Sequence, residues 1–287
     1  MTVSVIIVNY NGLHYTRQCL ESFFRYHNVN SYEVIVVDNH SSDDSQKELP
    51  ILFPTIKLIT LSENRGFGSA NNEGAKRAKG KYLFFVNNDT MFSQETVYTL
   101  SKYLEDHRDV GIVGPRLLNE DLSFQYSFGK YPTLKNEYET KQIGKEYSVR
   151  TSPAENDQPL EKDWVTGAAL MIRRELFESV HGFDERFFMY FEDIDLCKRV
   201  KHIGLKSMFV SIVSLIHFGG KSYQKKDSSI SVEYRRSQLR FYDKHQSVTQ
   251  RMMVRVYLVL KYLPKFIGSA ENNIAKNIIR LVFHKQN

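Results

Sequence analysis

Cysteine is scarce in this sequence, with two residues, Cys19 and Cys197, among 287. Each lies in an apolar pattern with helical spacing, and neither has neighbours of the types that ligate metals. Exported chains commonly carry disulfides, whereas chains of the cytosol keep their thiols reduced. We therefore expect two buried, reduced thiols in a cytoplasmic protein.

Long hydrophobic runs are also missing. The start, Met1-Thr2-Val3-Ser4, leads directly into a strand pattern without a basic, signal-like apolar segment, so we expect no export. The most apolar part of the tail is interrupted by Arg255 and Lys261 and is shorter than the ~20 apolar residues of a membrane span. An apolar content of 41% with 25% charged residues is that of an ordinary soluble globular protein.

An excess of one charge sign is missing from most of the chain. Residues 1–247 carry 32 basic and 32 acidic side chains. The net charge of +6 therefore comes from residues 248–287, which hold seven Lys and Arg against one acid, Glu271. The balanced charge of residues 1–247 argues against nucleic-acid binding. In the tail, the basic residues alternate with aliphatic residues rather than with base-stacking aromatics.

The tail, residues 246–287, is predicted to be helical, basic and amphipathic, with Met252, Val256, Leu260 and Leu263 near helical spacing. Such a helix could lie on an anionic membrane surface, at the inner face of the cell membrane. It could also pack on the preceding domain with its basic residues solvated, or form a homodimer contact. The sequence leaves these alternatives open.

Apolar strand patterns alternate with helical patterns along most of the chain. The strand patterns cover residues 3–8, 33–37, 56–61, 82–86, 111–113 and 206–216. This alternation predicts an α/β fold with a Rossmann-like, mostly parallel sheet and helices on both faces. We expect one domain over residues 1–245, with a long and partly mobile excursion over residues 116–163, followed by the helical tail.

Polar residues follow the strand patterns at the points where the strands end. They are Asn9, Asn11, Asp38, Asn64, Arg65, Gly66, Asn88 and Asp89. Ligands of open α/β sheets bind outside the carboxyl ends of the strands, and a glycine-containing loop before a helix favours anions. Each of these residues taken singly could instead shape a turn.

Two carboxylate positions carry more specific chemistry. Asp89 follows a strand buried on both faces and can hold a divalent metal through oxygen, because Mg²⁺ needs only one or two carboxylates beside phosphates and water. Glu192-Asp193 opens a helix, where each acid is favoured by about 0.3–1 kcal/mol. That preference does not explain why the pair follows the bulky run Phe187–Phe191 at a predicted rim.

These motifs, in this order, resemble glycosyltransferase family 2 with its GT-A fold. The resemblance rests on Val5–Asn11, Val36–Asp38, Asn64–Phe67, Asn87–Asp89 and Phe188–Asp195. Three further segments are similar to the bacterial rhamnosyltransferase-like branch: Trp164–Ile172, Gly182–Asp193 and His217–Gly220. Each motif alone is weakly specific, but their joint order at the strand ends is specific, and together they cover residues 1–245.

The resemblance implies an inverting, metal-dependent enzyme with a nucleotide-sugar donor. Asp193 would be the general base that takes the proton of the acceptor hydroxyl. Asp89 and His217 would hold Mn²⁺ or Mg²⁺, and imidazole suits Mn²⁺ better, so the metal stays open. Where the family has an acidic pair, the first position here is Asn87, which leaves Asp89 as the only strong ligand from its strand.

The resemblance also implies a donor site. Asp38 would read the pyrimidine base of a dTDP- or UDP-sugar, and Asn9 and Asn11 would touch the base or the ribose. The other donor-binding residues would be Asn64, Arg65, Gly66, Asn88, Trp164, Gly167 and Ala168. Alternatives stay open for four of these residues. Asn9 and Asn11 could shape a turn, Arg65 could be a surface ion, and Trp164 could be a core residue.

We therefore expect a hexosyltransferase that moves a sugar, with L-rhamnose as the candidate, to a cell-surface polysaccharide or a polyprenyl-linked glycan precursor. An alternative is a noncatalytic module that binds nucleotide or glycan in an assembly complex, but the presence of both Asp89 and Asp193 argues against it. A nucleotidyltransferase would need a Gly-rich, basic loop after the first strand, which Asn9-Tyr10-Asn11-Gly12 does not offer.

Overall fold

The computed structural model describes residues 2–28, 30–136, 158–219, 228–268 and 273–283. The strands are β1 (Val3–Asn9), β2 (Tyr32–Asp38), β3 (Lys57–Thr60), β4 (Tyr82–Asn87), β5 (Thr90–Phe92), β6 (Val110–Leu118), β7 (Phe124–Gln125), β8 (Phe128–Gly129), β9 (Leu160–Lys162), β10 (Trp164–Val165), β11 (Ala169–Arg173) and β12 (Lys206–His217). The helices are α1 (Leu13–Tyr26), α2 (Ser45–Leu52), α3 (Phe67–Arg77), α4 (Val97–Asp106), α5 (Arg174–Ser179), α6 (Glu192–His202), α7 (Ser228–His245), α8 (Val248–Ile267) and α9 (Asn273–Phe283).

The main sheet is built around parallel strands in the order β3-β2-β1-β4. Beyond β4 the order continues β11-β6-β12. Strand β11 is antiparallel to both of its neighbours, β4 and β6, and β12 is parallel to β6. The carboxyl ends of β1, β2, β3 and β4 therefore meet at one edge. Because β11 runs the other way, the turn before Ala169 lies at that same edge, where Asn87 N donates to Ala168 O at 2.9 Å.

The central strands are buried on both faces because helices cover the sheet on both sides. In β4, Phe84 and Val86 join one core cluster, while Leu83 and Phe85 join the cluster on the opposite face. This separation follows from the two-residue period of a strand. The predicted mostly parallel sheet with helices on both faces is confirmed, and so are the two buried free thiols.

Two details of the fold differ from the sequence-based expectation. The short strand β5 was not predicted, and it pairs antiparallel with the end of β12, where His217 lies opposite Thr90. The excursion expected over residues 116–163 contains, in its described part, the end of β6 and the short strands β7, β8 and β9. Residues 137–157 of this excursion, which was expected to be partly mobile, lie outside the described residues.

A third core cluster joins the C-terminal helices to the segment before α6. Phe187 and Phe191 pack with residues of α7, and Val254 and Leu258 of α8 are fully buried in the same cluster. The helices of the tail thus pack on the rest of the protein. In the ranges that the structure covers, no helix is both long and apolar enough to cross a membrane.

The packing of α8 can be tested with two leucines on the same helix. We expect Leu258→Ala to lower the free energy of unfolding by about 2–5 kcal/mol, because the side chain is fully buried and leaves a cavity. Leu260→Ala, on the exposed side, should change it by less than about 0.5 kcal/mol. Urea unfolding followed by circular dichroism measures both, and equal small effects would contradict the packing.

Candidate active site

A cavity of about 790 Å³ opens where β1, β4 and β12 end. Seven of the predicted site residues line it: Asn88, Asp89, Trp164, Gly167, Ala168, Asp193 and His217. They come from four separate stretches of the chain. The sheet edge therefore brings the predicted base and the predicted metal ligands into one cavity.

Asp89 and His217 lie side by side. The Oδ1 atom of Asp89 is 3.2 Å from Nε2 of His217, because β5 starts directly after Asp89 and pairs with the end of β12. Asp89 is buried, with 3% of its surface exposed. Its backbone carbonyl accepts a hydrogen bond from Phe218 N at 2.9 Å, which fixes the chain after β12.

The orientation of the His217 ring is set by Gln125. The Gln125 amide nitrogen donates to Asn119 Oδ1 at 2.9 Å and to His217 O at 3.0 Å, so its oxygen faces His217 Nδ1 at 2.5 Å. That oxygen can only accept, which puts a proton on Nδ1, so that the neutral ring has its lone pair on Nε2. The lone pair then points toward Asp89, with Asn87 Nδ2 3.2 Å away.

This pair fits a divalent metal ion. Two atoms bound at adjacent positions of one octahedral ion, at about 2.1 Å each, lie about 3 Å apart, close to the separation seen here. Across the described residues, no group of three or more His, Cys, Asp or Glu side chains could hold a metal. Two protein ligands would leave the remaining positions to phosphate oxygens and water.

Asp193 lies at the start of α6, held by two backbone N–H groups. Gly167 N donates to Oδ2 at 2.7 Å and Ile194 N donates to Oδ1 at 2.8 Å. Burial raises the pKa of Asp193, and these hydrogen bonds oppose the rise without cancelling it. A Cβ on Gly167 would lie 3.3 Å from the Asp193 Cβ and from the Phe67 ring, so the close approach favours glycine there.

Glu192, next to the predicted base, has an unusual environment. Its side chain is 6% exposed and lines the cavity, and its Oε2 has no hydrogen-bond partner among the described residues. Burial raises the pKa of Glu192 well above its usual range, and the charge of Asp193 raises it further. Burial and the charge of Asp193 therefore favour the protonated form of this side chain, which can donate a hydrogen bond into the cavity.

Asp195, further along the first turn of α6, is fully buried and strongly paired. Its Oδ1 lies 2.6 Å from Lys244 Nζ and from His245 Nε2, and its Oδ2 accepts from Arg199 Nε at 2.8 Å. Burial alone would raise the pKa of Asp195, but the bond from His245 and the charges of Arg199 and Lys244 outweigh burial and lower it. This network fastens α7 to α6.

The profile described as Glycosyl transferase family 2 matches residues 4–181, which is more than half of the chain. The chain belongs to that family. A second profile, described as the N-terminal domain of galactosyltransferase, matches residues 150–220. The predicted family is thereby confirmed.

Among curated relatives is the N-acetylglucosaminyl-diphospho-decaprenol L-rhamnosyltransferase of Mycobacterium tuberculosis. It is 24% identical over 230 residues, which cover 74% of this chain and 75% of the relative. A rhamnosyltransferase of Escherichia coli K12 is 28% identical over 229 residues, covering 75% of this chain and 83% of the relative.

Two solved structures are similar in fold. GalNAc-T7 with UDP, GalNAc and Mn²⁺ has a TM-score of 0.61 at 18% identity, covering 83% of this chain and 47% of that one, so this chain spans just under half of the neighbour's length. S. aureus TarS has a TM-score of 0.58 at 17% identity, covering 99% of this chain and 81% of that one. At these identities the likeness shows the fold alone, which is of the GT-A type.

The other predicted residues of this family member do not line the cavity. They form hydrogen bonds within and between the loops at the same edge of the sheet. Asn9 Nδ2 donates to Asp38 Oδ2 at 2.8 Å, and Asn88 Nδ2 lies 3.3 Å from Asn9 Oδ1. Asp38 is fully buried, and its Oδ1 accepts from Ser41 N and Gln46 Nε2. Its role in reading a base stays a prediction, as do the roles of Asn9 and Asn88.

The loops after β1 and β3 are braced in the same way. Asn11 Oδ1 accepts from Ser42 N at 2.7 Å, and Asn64 Oδ1 accepts from Gly66 N at 3.0 Å. Arg65 pairs with Glu73 and Glu185 at 3.3 Å and 3.1 Å, so it faces carboxylates. These contacts agree with the alternative of a paired surface ion for Arg65. Donor binding by Asn11, Asn64, Arg65 and Gly66 stays a prediction.

One wall of the cavity was not predicted from the sequence. Tyr234, Arg235 and Gln238 of α7 line it, together with Tyr126 and Lys130. Gln238 Oε1 accepts from Arg235 Nη1 at 2.6 Å, and the Arg235 guanidinium lies over the Tyr234 ring at 5.1 Å. In the sequence, the signal for this wall is the charged residue Arg235. That residue alone does not indicate which cavity its helix borders.

The raised pKa of Glu192 can be tested through the pH dependence of stability. Because its folded-state pKa is raised, it stabilises the fold fully below the unfolded-state pKa of about 4.3, and this contribution is lost as pH rises toward the folded-state pKa. We expect Glu192→Gln to gain free energy of unfolding over the parent as pH rises above the unfolded-state pKa of about 4.3, by up to about 1.4 kcal/mol per pH unit.

Urea unfolding across this range measures the difference. Glu178→Gln, at an exposed carboxylate of α5, is the matched control and should follow the parent. Parallel profiles of the parent and Glu192→Gln would show that Glu192 is ionised in the folded protein.

Proposed function

We propose that this chain is an inverting, metal-dependent glycosyltransferase that moves a hexosyl group from a dTDP- or UDP-sugar to a hydroxyl of a cell-surface glycan precursor. The observation that carries the proposal is the shared cavity of Asp193, Asp89 and His217. A carboxylate with a raised pKa and a ligand pair for a divalent ion, both facing one cavity, are the two parts that this chemistry requires.

Asp193 is suited to act as the base. One of its oxygens takes the proton of the acceptor hydroxyl while the acceptor oxygen bonds to the anomeric carbon. The bond from that carbon to the diphosphate breaks, and the nucleoside diphosphate leaves on the opposite face. The N–H groups of Gly167 and Ile194 fix the direction of the carboxylate, and its raised pKa increases its strength as a base near neutral pH.

Asp89 and His217 would hold the metal. When bound, a divalent ion stabilises the charge that develops on the leaving diphosphate. Asn87 and Gln125 orient His217 with its Nε2 lone pair toward Asp89, which is the tautomer a metal ligand needs. The fold neighbour GalNAc-T7 was solved with Mn²⁺, which supports metal dependence but does not identify the ligands in this chain.

The proposed identities of the sugar and the acceptor are inferred from the names of related proteins. The names of the M. tuberculosis and E. coli relatives specify rhamnosyl transfer, and the first also names a lipid diphosphate acceptor. We therefore propose L-rhamnose as the sugar and a polyprenyl-diphosphate-linked glycan as the acceptor class. Trp164, with Gly167 and Ala168 beside it, offers an aromatic face and open space for a sugar ring.

Replacing the base should separate catalysis from binding. We expect Asp193→Asn to lower kcat for transfer at least about 100-fold, because the general-base contribution is lost, while the affinity for dTDP and UDP stays within about twofold. Transfer of radiolabelled rhamnose to a polyprenyl-diphosphate-linked N-acetylglucosamine measures kcat, and calorimetry measures affinity.

Asp106→Asn, on the remote helix α4, is the control and should keep parental activity. An Asp193→Asn variant that retains more than about a tenth of parental kcat would exclude Asp193 as the base.

Replacing the ligand pair should remove the metal effect on binding. We expect Mn²⁺ to tighten nucleoside diphosphate binding to the parent, and Asp89→Ala to abolish that enhancement. His217→Ala should reduce it less, because the carboxylate remains. Titration calorimetry with and without Mn²⁺ checks both, with His107→Ala, directly after α4, as the control. Equal enhancement in Asp89→Ala and the parent would refute the assignment.

A further inference from the structure

The segment that leads into α6 is held at two successive backbone carbonyls. Phe67 N, at the start of α3, donates a hydrogen bond to Phe188 O at 2.9 Å. The Ser237 hydroxyl of α7 donates to the next carbonyl, Met189 O, at 2.8 Å. Two peptide groups just ahead of the predicted base are therefore fixed by two different helices.

The contact made by Ser237 is unusual for a serine inside a helix. Such a serine commonly points to solvent or bonds to a carbonyl of the preceding turn of its own helix. Ser237 is fully buried, and its hydroxyl instead bonds to a carbonyl 48 residues earlier in the chain. Serine is also a weaker helix former than alanine. The bond to Met189 is therefore what distinguishes serine from alanine at this position.

The carbonyl that Ser237 binds precedes the two residues with left-handed backbone. Tyr190 and Phe191 have φ angles of +69° and +70°, a conformation that L-residues keep only where their surroundings hold them in it. Helix α6 begins directly after them. Rotation of the peptide group between Met189 and Tyr190 would change the Tyr190 backbone, and with it the direction in which α6 starts.

The position of the Asp193 carboxylate depends on that direction. The carboxylate accepts from Ile194 N at 2.8 Å and from Gly167 N at 2.7 Å. Gly167 lies in the turn before β11 and not in α6, so a shift of the helix start would break or lengthen its bond. A misplacement of about 1 Å at a reacting group can cost about 100-fold in rate.

We propose that Ser237 is a positioning residue that holds the Asp193 carboxylate in place through the carbonyl of Met189, an inference that rests on the proposed function because it takes Asp193 as the base. Ser237 acts through the backbone and takes no part in the proton transfer. Its hydroxyl should therefore matter for kcat and not for binding of the donor.

The first test removes the hydroxyl alone. We expect Ser237→Ala to lower kcat about tenfold, while KM for the sugar nucleotide stays within about twofold. The matched control is Ser101→Ala on α4, where another buried serine donates to a backbone carbonyl, Tyr98 O, at 3.0 Å. It should keep the parental kcat. Urea unfolding verifies that both variants fold, and Ser237→Cys, whose thiol is a weak donor, replaces the alanine variant if that variant does not.

A double-mutant cycle shows whether Ser237 acts through Asp193. In the Asp193→Asn background, we expect Ser237→Ala to lower the residual kcat by less than about twofold, because the base that it positions is already gone. An equal loss in both backgrounds would overturn the proposal, since Ser237 would then act independently of Asp193. A parental kcat in Ser237→Ala alone would overturn it as well.

Amide hydrogen exchange tests the position of Asp193 without any substrate. Because the Gly167 amide donates to the Asp193 carboxylate, we expect it to exchange at least about fivefold faster in Ser237→Ala than in the parent and in Ser101→Ala. An unchanged exchange rate would contradict the proposal. A parent that transfers no sugar would refute the proposed function, and the exchange rates alone would then decide whether Ser237 holds the Asp193 side chain.

Discussion

Two consecutive residues with left-handed backbone, Tyr190 and Phe191, set the direction of α6 and with it the position of Asp193. Their φ angles are +69° and +70°, which cost an L-residue about 1–2 kcal/mol each. Packing stabilises this conformation, because the Phe191 ring lies 5.3 Å from Tyr234 and 5.6 Å from Phe241 of α7. The geometry at the base therefore depends on a helix that begins more than thirty residues later in the chain.

The first turn of α6 shows how the same residue chemistry is used in three ways. Glu192 is buried with an oxygen that has no hydrogen-bond partner among the described residues, and its pKa is raised. Asp193 is held by two N–H groups, and a cationic network lowers the pKa of Asp195. Helix dipoles favour all three acids alike. What distinguishes them is burial and the position of their partners, which come from residues 167, 244 and 245. Active sites commonly separate the pKa values of neighbouring carboxylates in this way.

The parallel half of the sheet could largely be predicted from the sequence. Its strands are buried on both faces, so their apolar runs and the polar residues after them are visible in the pattern, and the predicted residues Asn88, Asp89 and Asp193 line one cavity. Arg65 shows the limit of such a pattern. The sequence left open both donor binding and a surface ion, and the fold supplies Glu73 and Glu185 as partners of Arg65, which the sequence pattern does not contain. Donor binding by Arg65 stays a prediction.

The sequence by itself determined the alternation of strands and helices, the location of polar loops at strand ends, and the concentration of positive charge in the tail. These features follow from local periodicity and composition. Only the tertiary structure decided that β5 pairs with β12 and sets Asp89 3.2 Å from His217, that α7 forms a wall of the cavity, and that α8 buries one apolar side while exposing the other. Each of these depends on contacts between residues far apart in the chain, and a periodic pattern cannot state which of two apolar faces finds a partner.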